Sequence, residues 1–192
     1  NQGLAMLLDA FMKLEEPKLE GESTDKSHAK EIEILSFDQT ILRQPKAAGA
    51  GQGETSRVAS EHRPLTIIKP LDKASPKLYQ AASAGTVYKK AVISACQPSG
   101  TTKTGADNWK KVVYLEITLE NVHISRAHLV GDPRLHPFGR SHSFPITAGE
   151  ILAMGPLEEI DLSFAKIQWV YKGGSGTANI TGRWNLKTNS AS

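Results

Sequence analysis

Apolar and polar residues alternate one for one along most of this chain, and the 3.6-residue period of an amphipathic helix is almost absent. Phe11-Met12-Lys13-Leu14 predicts a short first strand, and residues 31–37 a second, with Ile32 and Ile34 on one face and acidic residues opposite. Residues 65–69 predict a third strand and residues 88–95 a fourth. The longest runs over residues 111–124: Val113, Leu115, Ile117 and Leu119 share one face, and Tyr114, Glu116, Thr118 and Glu120 the other. The apolar set then changes parity, because Val122 and Ile124 are even-numbered, which predicts a β-bulge at Glu120–Asn121. Residues 160–171 repeat the pattern, with Ile160, Leu162 and Phe164 followed by Ile167, Trp169 and Tyr171. Two long strands that slip in this way predict a curved antiparallel sheet closing into a β-barrel. A last strand is expected over residues 178–185.

One helix is signalled, at about residues 76–84. Ser75 suits its N-cap, Pro76 its first position and Gly85 its end, while Leu78, Ala81 and Ala82 make a short apolar stripe. Residues 43–64 read as a long extended loop, with Pro45 and the run Ala47-Ala48-Gly49-Ala50-Gly51-Gln52-Gly53 offering nothing to bury. Residues 126–145 carry Pro133, Pro137 and Pro145 with Gly131 and Gly139, and also read as a loop. Residues 1–5, ahead of Met6, are read as a remnant of cloning, leaving residues 6–192 as a single domain.

Composition changes this picture little. In 192 residues, 23 Lys and Arg against 20 Asp and Glu give a net charge of +3, too mild an excess to argue for nucleic acid. The single cysteine, Cys96, excludes an intrachain disulfide and a thiolate metal cluster. No run approaches the ~20 apolar residues of a membrane span. Residues 3–12, interrupted by Asp9, lack the charged and apolar regions of a cleaved export signal, so export would need another route.

The chemical motifs are weak. Six histidines (His28, His62, His123, His128, His136 and His142) lack the i, i+4 spacing of a helical zinc site, and the last four are read as solvated loop residues. Residues 100–105 hold glycines and a lysine without the order of a phosphate loop, so a hairpin tip is the better reading. Ser94 and Cys96 have no nearby base in sequence, and Cys96 is expected at a half-buried strand end. The pairs Glu15-Glu16, Glu20-Glu22 and Glu158-Glu159 are read as solvated, and Trp109-Lys110-Lys111 as a guarded sheet edge rather than a nucleobase platform. No catalytic constellation and no cofactor site are expected.

Four segments taken in order resemble a known family. They are Asp9-Ala10-Phe11-Met12-Lys13-Leu14 with Gly21-Glu22-Ser23, Asp25, His28 and the run from Glu31 to Phe37; Leu71-Asp72-Lys73-Ala74-Ser75-Pro76-Lys77-Leu78 with Gly85; Tyr114-Leu115 with Thr118-Leu119-Glu120-Asn121-Val122; and Glu159-Ile160-Asp161-Leu162, Ile167-Gln168-Trp169-Val170-Tyr171-Lys172 and Trp184-Asn185. Their order and spacing are similar to those of the haemolysin-coregulated protein (Hcp) family, the tube subunit of the bacterial type VI secretion system. The family often carries a Trp-x-Trp pair where this chain has Phe37-Asp38-Gln39.

The resemblance implies a non-enzymatic β-barrel that assembles in the cytoplasm as a homo-hexameric ring. Rings would stack into a tube, meet spike and sheath components, carry effectors in the lumen and leave the cell without a cleaved signal. It further implies that Phe37, Asp38 and Gln39 face the lumen and contact effectors. Residues Ala47, Gly49, Gly51 and Gly53 would lie in a loop that contacts the next ring, and Tyr114 is the candidate for the contact between subunits. Neither nucleic acid nor membrane insertion is expected. Two other classes compete: a standalone β-barrel binding module, which would need a concave pocket, and a hydrolase on a β-scaffold, which would need an acid–base pair.

Overall fold

The described residues form eleven strands, nine of them from the seven alternating runs and two, β4 and β5, not expected, β5 lying inside the predicted loop at 43–64: β1 (Asp9–Glu15), β2 (Ile32–Ile34), β3 (Ser36–Asp38), β4 (Ile41–Leu42), β5 (Glu61–His62), β6 (Leu65–Pro70), β7 (Val87–Ser99), β8 (Lys110–Val130), β9 (Leu157–Ser163), β10 (Lys166–Tyr171) and β11 (Ile180–Asn185). Helix α1 (Ser75–Ala84), a 3-10 turn at Pro133–Leu135 and the short helix α2 (Ala148–Ala153) complete the set. This computed structural model describes residues 9–43, 60–99, 110–135, 148–173 and 178–191.

Nine strands share one antiparallel sheet. Its main path runs β2-β1-β7-β8-β9-β6-β3, and β10 pairs with the first half of β8 on one side and with β11 on the other. Among the described residues the ladder itself is open, within the mainly antiparallel β fold with one side helix that the alternation predicts. β2 and β3 stand at opposite ends of the path, yet they are successive pieces of the segment read as one strand. The chain turns at Leu35, whose N–H donates to Ile68 O at 2.7 Å, so the ends meet through a covalent corner rather than a ladder.

The inward faces fill one core. Met12, Leu14, Ile32, Leu65, Ile67, Leu78, Leu119, Ile160 and Leu162 are fully buried, each contributing roughly 1.5–3 kcal/mol by leaving water. Helix α1 closes the core by laying Leu78 and Ala81 against it. Its N-cap is Ala74, not Ser75. The cap has no side-chain hydrogen bond of its own; Asp72 Oδ1, two residues earlier, accepts from Ala74 N–H at 3.0 Å. Gly85 ends the helix as predicted, at φ +65°, where a Cβ would be strained.

The expected slip at Glu120–Asn121 is present, with a cause different from a one-sided bulge. Asn121 sits at φ +52°, and the inward residues Leu119 and Val122 are three apart. β7 slips at the same level, between Tyr88 and Ala91, and the β9–β10 segment between Phe164 and Ile167. Since each slip faces another, register across β7 and β8 is unchanged there; it shifts instead at Ala95/Cys96, and between β8 and β9 at Ile124/Arg126. The predicted loop at 126–145 also begins as strand, because β8 continues to Val130, and His123 and His128 are exposed strand residues rather than loop residues.

Candidate functional site

Of the residues predicted to meet cargo, β3 holds two and the link to β4 the third. Phe37 pairs with Ile67 and leans on the core, Asp38 pairs with Thr66 and is exposed, and Gln39 is half-buried. Gln39 Oε1 accepts from Trp169 Nε1 at 2.9 Å. Beside that bond, His62 of β5 stacks between two indoles: Trp169 at 6.3 Å and 29°, and Trp184 at 6.0 Å and 19°. Gln39 Nε2, His62 Nδ1 and Trp184 Nε1 are all buried and have no hydrogen-bond partner among the described residues. Burial holds the His62 pKa below its ordinary value. Sequence reading counted His62 only among six histidines. The alternation already set Trp169 on the apolar face with Ile167, but nothing local brings Trp184 or residue 62 to it.

Tyr114, the predicted subunit contact, is half-buried, and its carbonyl accepts from Lys172 N–H at 2.8 Å. On the opposite, core-directed face the rung Leu115–Tyr171–Ile180 crosses three strands. It lies past the end of the core, so Tyr171 is 52% exposed and Ile180 67%. Ala47, Gly49, Gly51 and Gly53 lie outside the described residues.

Two buried polar clusters were not legible in the sequence. Glu158, read as solvated, is fully buried with Lys69. Four oxygens surround the three N–H groups of Lys69 Nζ: Glu158 Oε2 at 2.5 Å, Pro70 O at 2.7 Å, Asp72 Oδ1 at 2.9 Å and Ser75 Oγ at 3.0 Å. Ser75 also donates to Glu158 at 2.6 Å, and Tyr79 donates to the other oxygen of the same carboxylate. Burial, then the hydrogen bond to Glu158, raises the Tyr79 pKa far above the ordinary tyrosine range. The network ties the start of α1 to β6 and β9.

The second cluster lies under the 20–31 loop. His28 stacks flat on Phe11, with ring centroids 4.4 Å apart, its Nδ1 2.9 Å from Glu31 Oε2 and its Nε2 3.5 Å from Cys96 Sγ. Lys111 bridges Asp9 at 2.5 Å and Asp25 at 2.9 Å above the same Phe11 ring. Cysteine, histidine and carboxylate stand in a nucleophile–base–orienter order, but the chemistry is inverted. Burial, with Asp9 second, pushes the Cys96 thiol up to about 11, so it stays protonated at neutral pH and is a poor nucleophile. A shallow cleft of about 100 Å³ lies beside this loop, lined by Glu22, Ser23, Glu33, Pro70, Leu71 and Asp72. Among the described residues no three His, Cys, Asp or Glu side chains converge to hold a metal ion, and no helix is long and apolar enough to cross a membrane.

Comparison with known proteins agrees with this architecture. The chain is 28% identical over 189 residues to the protein Hcp1 of Pseudomonas aeruginosa, covering 96% of this chain and 98% of that one. Its fold is similar to the crystal structure of Hcp1 from Salmonella typhimurium (TM-score 0.67, 22% identity, 97% and 99% of the two chains) and to the structure of a type six secretion system protein (TM-score 0.71, 23% identity, 96% and 99%). The same holds for a doubly mutated Hcp1 from the E. coli EAEC 042 pathovar (TM-score 0.66, 21% identity, 93% and 99%). The family profile "Type VI secretion system effector, Hcp" matches residues 11–171, from the first core strand to the last residue of β10. The chain belongs to the Hcp family, the tube and effector proteins of the type VI secretion system.

Proposed function

We propose that this chain is the subunit of a six-membered ring that stacks into the expelled tube, and that it works by assembly rather than catalysis. The observation that carries the reading is the rung Leu115–Tyr171–Ile180. An apolar row that follows the core-facing alternation past the core is an interior surface with no interior of its own. A neighbouring subunit placed head to tail would cover it, and Tyr114, on the other face of the same strand, would border that contact. Residues 6–192 would act as one domain. In the ring, Asp38 would face the lumen, with Phe37 and Gln39 bracing it from the inward face of the strand, and six copies of Asp38 would favour cargo rich in Lys and Arg. Ala47, Gly49, Gly51 and Gly53 would give the 43–64 segment its reach to the next ring. Spike and sheath components and secreted effectors are the partners, with assembly in the cytoplasm and export without a cleaved signal. Analytical ultracentrifugation with negative-stain imaging tests this. A mass of six chains and six-fold rings are expected, and Tyr171→Asp with Ile180→Asp should shift the population to monomer. Monomer alone at micromolar concentration, across ordinary salt and pH, would overturn it.

A further inference from the structure

We propose that His62 is a pH-sensitive latch: neutral, it holds the β4–β5 ribbon against the β10–β11 hairpin, and protonated, it lets the ribbon go. The ribbon is a sheet of its own, pairing Ile41 with His62 and Leu42 with Glu61, and it shares no ladder bond with the nine-stranded sheet. Its ties to the body include the His62 ring between Trp169 and Trp184, and the Ser60 N–H and hydroxyl donating to Asn189 Oδ1 at 3.3 and 3.2 Å. β4 and β5 also continue β3 and β6 across two-residue links, where Arg63 N–H donates to Thr40 O at 3.0 Å, so the His62 stack is what holds the ribbon to the β10–β11 hairpin rather than to the molecule.

The surroundings of that ring are short of acceptors. Trp184 Nε1 and Gln39 Nε2 already bring buried N–H groups that find no oxygen among the described residues, and His62 Nδ1 is buried beside them. With its proton on Nε2, a neutral ring adds only a lone pair at Nδ1. A second proton turns that atom into one more unmatched donor and buries a full charge with it. The indole faces attract an imidazolium, but at 6.3 and 6.0 Å the ring centroids stand at the outer limit of that attraction, so it offsets little of the cost of the buried charge.

No carboxylate among the described residues forms an ion pair with His62. Glu61 and Arg63, its chain neighbours, are each more than half exposed and alternate to the other face. Asp38, before β4, is exposed. On β10 and just after it, Lys166 and Lys172 pair with Glu120 at 3.0 Å and Glu116 at 2.7 Å. On β11 Arg183 is bonded to Gln168, one residue from the tryptophan face, and Lys187 follows as a further cation. Lys166 and Arg183 alternate to the face opposite Trp169 and Trp184, and Lys172 and Lys187 lie beyond the strand ends, so no charged side chain of β10 or β11 turns toward the ring to balance an imidazolium. The lowered pKa of His62 agrees in direction, so release accompanies a fall in pH below the ordinary histidine value of 6.5.

The consequence for assembly rests on the reading of residues 43–64 as a ring-stacking element; the latch itself does not. Tryptophan fluorescence and hydrogen exchange of the intact assembly, followed from about pH 7.5 to about pH 5, test it. Expected are one fluorescence step with a midpoint below the ordinary histidine pKa and a rise of at least about tenfold in exchange at residues 41–42 and 61–62. Both should vanish in His62→Phe, which keeps the stack without the proton, and in His62→Gln, a second neutral variant should one fail to fold. A step that survives in a folded variant, or no step in the wild type, overturns the latch. Tube yield measured in the same samples separates the two ideas: release with unchanged tube yield supports the latch and removes the stacking reading.

Discussion

Lys69 carries a charge into a place without water, and four oxygens stand in for its hydration shell. Desolvating an ammonium and a carboxylate is tolerated when each keeps its hydrogen bonds, but removing one partner leaves the other uncompensated. Lys69→Met should therefore lower the unfolding free energy by about 3–5 kcal/mol, read as a fall in the urea midpoint. Cys96 poses the opposite case of a group held neutral. Its folded pKa of about 11 lies above the unfolded value of 9.0, so the unfolded chain loses its proton first. Stability should fall as pH rises from about 9 to about 11, and Cys96→Ser should remove that slope. The native thiol should also react with a disulfide reagent at pH 8 only at the rate of unfolding.

At the scale of elements, the three matched slips explain how one sheet turns a corner without losing register. In β7, β8 and the β9–β10 segment the inward residues stand three apart at the same level, so each unpaired position faces another. Through this corner runs a rung of alternating charge, Glu15–Lys90–Glu120–Lys166, in which Lys166 lies 3.0 Å from Glu120. Opposite charges on adjacent strands contribute roughly 0.2–1 kcal/mol per pair and like charges cost similar amounts. Glu120→Lys would line up three lysines and should destabilise the fold by about 1 kcal/mol, less in high salt, as thermal melts across ionic strength would report. Gly21 explains why the 20–31 loop packs so closely. A Cβ there would run into the Glu31 backbone carbonyl, so the residue is fixed by contact rather than by its own dihedral angles.

For the whole molecule, what matters is which surfaces one copy leaves unfinished. The β10–β11 end exposes Tyr171 and Ile180, and the ribbon from which residues 43–60 run extends the β3–β6 pair beyond the main ladder. On the proposed reading the first surface makes the ring and the second segment joins rings. Deleting Ala47 to Gly53 should then leave the sedimentation of the ring unchanged while tube length in negative stain falls. A variant that loses the ring as well would move this segment from stacking to subunit contact.

The sequence determined the parts of this protein that repeat every two residues. Alternation located the strands of the main sheet but not β4, β5 or the end of β8; its parity changes located the corner at Glu120–Asn121 and Phe164–Ile167, and Pro76 with Gly85 bounded the longest helix among the described residues. The four ordered segments carried the family. These signals are local, since each reports how a residue and its near neighbours divide between core and water. Only the tertiary structure decided what distant residues do to one another. Glu158 reads as half of a solvated pair until Lys69, 89 residues away, meets it in the core. Gln39 and Trp169 are 130 residues apart, and His62 joins them from a separate ribbon. A polar side chain's environment depends on which oxygens and rings the fold brings within a few ångströms, and no period in the chain encodes that.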